Sequence, residues 1–273
     1  METTMKTAAK TKAPTNLHEL LRIAAKALWR GTANELTAYR NVEQFIKVVG
    51  NLALEDVRTT TVDDFILEIQ GTIAAATVNR KLASVHTVLK YGFEREWITK
   101  MPKFEWKAET EGRTRWLTEA EEEKMFALLR EWDEAEVARF LTVSVDTGMR
   151  RGELLNLEAK NVDGPWVRLW VNKTKKPRSV PLSVRSQEAL AVGLPFALDE
   201  NKLRAVWLRL KVAMGLEGDA DFVLHALRHT AATRTLSKTG NIAVVQKLLG
   251  HRKIQTTMRY AHISDDDLLA AVR

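Results

Sequence analysis

A break in the hydrophobic period constrains this chain more than any other feature. From His18 to about Lys100, apolar residues recur at three- and four-residue steps, in LHELLRIAAKALW, ELTAYRNVEQFIKVV and TVNRKLASVHTVLKYGF. That spacing lines one face of a helix. Between Lys100 and Arg115 the text becomes KMPKFEWKAETEGRTR, with a proline, a glycine, mixed charges and no apolar period, which reads as a linker. The period then returns. The chain therefore divides into a flexible basic tail over 1–16, a helical domain over 17–100, a linker over 101–115 and a second domain over 116–273. With 273 residues, 45% of them apolar, there is enough chain to build two cores.

Within the first domain, Gly31 and Gly50 punctuate the helices, and Thr61 ahead of VDDFILEIQG predicts an N-cap with acids in the first turn and Gly71 as the stop. The result is a bundle of about four helices. In the second domain Thr118 opens a helix through the capping-box pattern T-E-A-E, in which Glu121 reaches back to the cap backbone. Trp166–Val171 and Arg178–Leu182 are β-branched and aromatic, and the KTKKP between them is a basic turn, so a hairpin interrupts the helices. Helical text resumes at Gln187–Val192, Lys202–Met214, HALRHTAATRTLSK, IAVVQKLLG and IQTTMRYA. Ser264 can cap a last short helix whose Leu268, Leu269 and Val272 form an apolar face.

Composition narrows the chemistry. The chain has no cysteine, which excludes disulfides, thiolate metal sites and a cysteine nucleophile, and fits a cytoplasmic protein. No run approaches the ~20 apolar residues of a membrane span. A formal charge of +7 favours a polyanionic partner, because Lys and Arg set against phosphates release condensed counterions. Charge alone fits a merely basic soluble protein equally well.

Four stretches carry more: TGMRRGELLNL, NKTKKPRSVPL, HALRH and LLGHRKIQTTMRY. Each also has a structural explanation, as helix break, solvated turn, helix face and core aromatic. In the first, Gly148 ends one helix and Leu154, Leu155 and Leu157 face a core in the next. Arg150 then follows the break, with Glu153 three residues on to hold it. His225 and Arg228 share a helix face. His225 and His229 have the i,i+4 spacing of a zinc pair, but Ala226 stands where the acid of such a motif belongs, Arg228 intrudes, and no cysteine adds ligands, so no metal is expected. Gly250 caps IAVVQKLL, which leaves His251 just past the helix end and Tyr260 nine positions later. Together these are two arginines, two histidines, a lysine and a tyrosine without an acid cluster for magnesium. Such a set suits metal-free phosphodiester displacement: guanidiniums neutralise the phosphate oxygens, lysine donates a proton and tyrosine attacks.

In order and spacing these stretches resemble the tyrosine recombinase (phage integrase) family. Its arginine pattern falls on Arg150 with Glu153 beside it, its hairpin lysine on Lys173, its H-x-x-R pair on His225 and Arg228, its L-G-H histidine on His251 and its nucleophile on Tyr260. Asn172 stands where a glycine commonly precedes the lysine, so Lys175 or Lys176 could serve in place of Lys173. TTTVDDFILEIQ and TVNRKLASVHTVLKYGFEREWI look like the family's core-binding domain. The resemblance implies a mainly α fold with a small antiparallel β-hairpin, arranged as a two-domain C-shaped clamp of helical core-binding domain and mixed α+β catalytic domain. It further implies duplex DNA as partner, contacts to it from Arg80, Lys81, Lys175 and Lys176, a tetramer on DNA, an accessory bending or directionality factor, and no cofactor. The short N-terminal stretch leaves no room for an arm-site domain, which points to a minimal architecture. Alternatives on the same fold are a type IB topoisomerase-like enzyme and a non-catalytic DNA-binding regulator.

Overall fold

In the computed structural model, which describes residues 12–109, 114–170 and 177–261, the apolar stripes of the first half become four α-helices: α1 Leu17–Leu28, α2 Glu35–Val49, α3 Thr59–Ile69 and α4 Ala75–Phe93. Asn16 caps α1 by accepting the Glu19 N–H at 3.1 Å, satisfying one of the four orphan donors of a helix start. The stripes meet in a core containing Leu20, Leu21, Phe45, Phe65, Leu82 and Leu89, with Phe45 and Phe65 edge to face at 5.3 Å. The N-cap of α3 falls at Arg58, three residues before the Thr61 expected. Thr61 instead lies in the first turn, where its hydroxyl accepts the Arg58 N–H at 3.1 Å, because a threonine can serve a helix start from the third position as well as from the cap.

Residues 101–109 of the run read as a linker are held to this first unit. Asn79 on α4 accepts the Lys107 N–H at 2.9 Å and donates to the Lys107 carbonyl at 2.8 Å. Phe104 stacks on Trp106 and meets His86 edge-on. The chain divides into two compact units between Glu111 and Gly112.

The second unit contains α5 Glu119–Glu131, α6 Ala135–Thr147, α7 Arg151–Leu155, α8 Val184–Ala191, α9 Glu200–Met214, α10 His225–Thr239, α11 Ile242–Leu249 and α12 Gln255–Met258. The Thr118–Glu121 capping box forms as the sequence predicts. The hairpin forms too, as β2 Trp166–Leu169 against β3 Arg178–Pro181, and it gains a short third strand, β1 Val162–Asp163, on its far edge. Two residues are too few to show an alternating pattern, which is why β1 has no signature in the sequence. Arg178 and Val180 lie two apart on one strand and so share a face, and Val180 is fully buried. The hairpin tip, residues 171–176, and everything after residue 261, including the helix expected from Ser264, lie outside the described residues.

α6 is the axis of this unit. It packs against α5, α8 and α10, and Val137, Phe140, Leu141, Val143 and Val145 are buried on it, while Arg139, Thr142 and Asp146 on the other side are half-buried. α10 is fixed beside it by the Leu117 N–H, which donates to buried Thr230 at 2.9 Å, and by Trp207 stacking on Phe222 just ahead of α10 at 4.8 Å. At one edge Arg185 pairs with Asp146 and Glu122, and Arg234 also reaches Glu122. No helix among the described residues is long and apolar enough to cross a membrane.

Burial would raise the Asp146 carboxyl, but Arg185 and the Ser183 hydroxyl outweigh it and hold the group below its ordinary range. A carboxyl depressed by folding contributes stability above its unfolded pKa and loses it as pH falls through the folded value. Asp146→Asn is therefore expected to lower the melting temperature at neutral pH and to flatten its decline below about pH 4, as read by thermal denaturation across pH.

Candidate active site

The site begins where three helices end or start together. α6 and α11 both stop on a glycine in the left-handed conformation, Gly148 at φ 62° and Gly250 at φ 65°, and each stop leaves carbonyls without helical partners. Arg228 of α10 takes one from each: it donates to Gly148 O at 2.5 Å and Leu249 O at 2.6 Å. Arg228 as a whole is 2% exposed. Close packing enforces glycine at both stops. A Cβ on Gly148 would lie 2.9 Å from Leu249 and 3.0 Å from Ala231, and a Cβ on Gly250 would lie 2.8 Å from the Arg178 side chain.

Just past the first stop, Arg150 precedes α7. Glu153 accepts its backbone N–H at 2.8 Å and its guanidinium at 3.1 Å, the i,i+3 arrangement that the sequence suggested. The same carboxylate receives Arg178 from β3 in a two-pronged pair at 2.8 and 2.7 Å. Burial would raise the Glu153 carboxyl, but Arg178, the Arg150 N–H and Arg150 together keep it ionised below its usual range.

Arg150, His225 and Arg228 line one cleft of about 670 Å³, to which Arg204 and Lys211 add positive charge while Arg151 pairs with Glu200 on the same lining. His251 follows Gly250. Its backbone N–H donates to Gln246 O at 3.1 Å, and its Nδ1 lies 2.9 Å from the Thr257 hydroxyl. Tyr260 is 5% exposed and packs with Ala232, Val245 and Leu249, and its hydroxyl lies 2.7 Å from His229 Nδ1.

The electrostatics follow from too many cations around too few anions. Burial, then Arg150 and Arg178, lower the Arg228 pKa to about 10, so it remains charged at neutral pH. Burial lowers His251 to about 4, helped by Arg228, Arg150, Arg259 and Arg178. His225 is lowered by the same combination of desolvation and neighbouring arginines. Burial raises Tyr260, and Arg228 and Arg259 partly oppose it. Glu153 is the carboxylate set among these arginines, which leaves a positive field available to an anion. Among the described residues, no group of three or more His, Cys, Asp or Glu is gathered to hold a metal.

The structure thus brings Arg150, Glu153, His225, Arg228, His251 and Tyr260 into one region. Lys173, Lys175 and Lys176 lie outside the described residues. On α4 of the first unit, Arg80 is exposed, while Lys81 is half-buried and donates to Gln44 at 2.5 Å. Sequence reasoning missed Arg178, although its period-two relation to buried Val180 was a usable signal. It also missed the contact of His229 with Tyr260, having weighed His229 only as a zinc ligand.

Residues 115–194 and 196–267, more than half of the chain, match the phage integrase family. The integrase of Escherichia phage 186 is 30% identical over 158 residues, 58% of this chain and 47% of that protein. The integrase of Escherichia phage P2 is 35% identical over 132 residues, with 47% of this chain and 38% of that protein covered. The chain therefore spans less than half the length of these two phage proteins. A tyrosine recombinase of Thermosipho africanus is 27% identical over 267 residues, covering 89% of this chain and 94% of that protein. The fold is similar to that of the Tn1549 transposon integrase in complex with circular intermediate DNA, with a TM-score of 0.76 at 18% identity over 95% of this chain and 100% of that one.

Gly250 has a direct test. Gly250→Ala meets both a left-handed backbone, which costs a non-glycine residue about 1–2 kcal/mol, and the Arg178 side chain. Gly164, at φ 54° with open space around it, isolates the backbone cost. Gly250→Ala is expected to depress the melting temperature, read by thermal denaturation, more than Gly164→Ala does.

Proposed function

The chain belongs to the phage integrase family, and from that premise we propose that it is a site-specific DNA recombinase that cuts and rejoins strands through a covalent bond between Tyr260 and a backbone phosphate. One observation carries the reading. A buried tyrosine hydroxyl stands within the field of Arg228 and Arg259, in a region where Arg150, Arg178 and Arg228 surround the carboxylate of Glu153. Such a field stabilises the charge that builds on a phosphate under attack, without a metal.

In the proposed reaction the Tyr260 oxygen forms a bond to phosphorus as the bond to the 5′-oxygen breaks, giving a 3′-phosphotyrosine and a free 5′-hydroxyl. Arg150, Arg228 and His251 hold the non-bridging oxygens, and His225 assists proton movement at the pocket. A lysine of the hairpin tip, Lys173 with Lys175 or Lys176 as substitutes, protonates the departing oxygen. The phosphodiester energy is kept in the new ester, so rejoining requires no ATP. Glu153 holds Arg150 in place, and Arg80, Lys81, Lys175 and Lys176 serve as contacts to duplex DNA. Assembly as a tetramer on paired sites, with an accessory bending or directionality factor, in the bacterial cytoplasm, completes the reading. Solved DNA complexes of proteins with a similar fold support the DNA partner, including a lambda integrase dimer bound to a core site, with a TM-score of 0.73 at 18% identity over 90% of this chain and 77% of that one.

The test is a suicide-substrate assay on nicked duplexes from the DNA flanking its gene, without added metal. The full chain is expected to give a detergent-resistant protein–DNA adduct that disappears in Tyr260→Phe and falls by orders of magnitude in Arg150→Ala. Retention of the adduct in Tyr260→Phe would overturn the assignment.

A further inference from the structure

Tyr260 cannot act as a nucleophile until its proton has somewhere to go. Its side chain is buried with Ala232, Val245 and Leu249, so bulk water is a poor acceptor, and burial pushes the phenol toward its neutral form. Of the three histidines in the region, His225 meets the ring of His229 and not the Tyr260 hydroxyl, and the Nδ1 of His251 is taken up by Thr257. His229 Nδ1 lies 2.7 Å from the Tyr260 hydroxyl, within the reach required of a general base. The ring of His225 abuts it edge to face at 4.9 Å.

We infer that His229 is a catalytic base: it accepts the Tyr260 proton at Nδ1 as the phenolic oxygen attacks phosphorus, and returns it when the phosphotyrosine bond is broken on rejoining. The inference rests on the transesterification proposed above. Atoms balance within it, since the phenolic proton converts His229 to imidazolium while the departing 5′-oxygen draws its own proton from the lysine of the hairpin tip. Burial lowers His229 to about 4, assisted by His225 and Arg228 on its own helix and by Arg259 beside Tyr260. α11 contributes apolar Val245 and Leu249 to the same cluster. The imidazole is therefore neutral at physiological pH, with a lone pair to offer the phenol. A phosphate arriving among these cations raises its basicity when it is needed, because an added anion favours the imidazolium.

The experiment measures the rate of adduct formation from about pH 6 to about pH 10 on nicked duplexes from the DNA flanking the gene. It compares the full chain, His229→Gln, which retains a hydrogen-bond acceptor but cannot take a proton, and His229→Ala. DNA binding is measured in parallel, and Tyr260→Phe is the control. Both histidine variants are expected to bind DNA and to react roughly 10²–10⁴-fold more slowly near neutrality. Their deficit should shrink by about tenfold per pH unit, as phenolate forms unaided. A deficit constant across pH, or a His229→Gln rate equal to that of the full chain, would overturn the role of His229 and leave the Tyr260 chemistry standing. No adduct from the full chain, or one from Tyr260→Phe, would overturn the transesterification itself.

Discussion

The second unit is organised around one buried guanidinium. Arg228 holds the carbonyl ends of α6 and α11, where the partial negative charge of a helix terminus is concentrated. Those two bonds are the compensation for putting a cation at 2% exposure, since an unpaired buried charge costs several kcal/mol. They also fix where Arg150 and His251 stand, because each follows within two residues of a helix end that Arg228 grips. Gly148 and Gly250 permit the grip: only a residue without a Cβ lets the neighbouring side chains close over these turns.

A second tie acts across the sheet. Glu153 at the start of α7 joins Arg150 from its own turn to Arg178 from β3, so β3 is tied to the helix that follows Gly148. The carboxylate holds two guanidiniums and leaves the field around Arg228 and Arg259 unneutralised. The depressed histidines and the lowered Arg228 pKa express the same imbalance: in the free protein this region bears an excess of positive charge.

Much of this was legible in the residues. The helical period over 18–100, the Thr118–Glu121 box, the hairpin, the glycine stops at 148 and 250, and the Arg150–Glu153 relation all depend on local chemistry that sequence spacing records. What escaped depends on the third dimension. The sequence suggests that Arg228 faces an anion, yet two of its donors serve backbone carbonyls 80 and 21 residues away. His229 lies 31 residues from Tyr260, and no helical spacing connects them. The run after Lys100 lacks periodicity and so looked like a free connector, but Asn79 and a small aromatic stack hold it down, and such contacts leave no period to detect.

Arg228 also bears on how such genes decay. A residue that braces two helix ends while presenting charge to the site cannot be discarded when activity is no longer selected, because the fold would suffer with it. If the proposed chemistry were lost while the fold was kept, Tyr260 or a histidine could change without loosening these helix ends, whereas Arg228 and the two glycines could not. An intact Arg228 position therefore speaks to the fold as much as to the chemistry, and Tyr260 and its neighbouring imidazoles are where a claim of catalysis has to be checked.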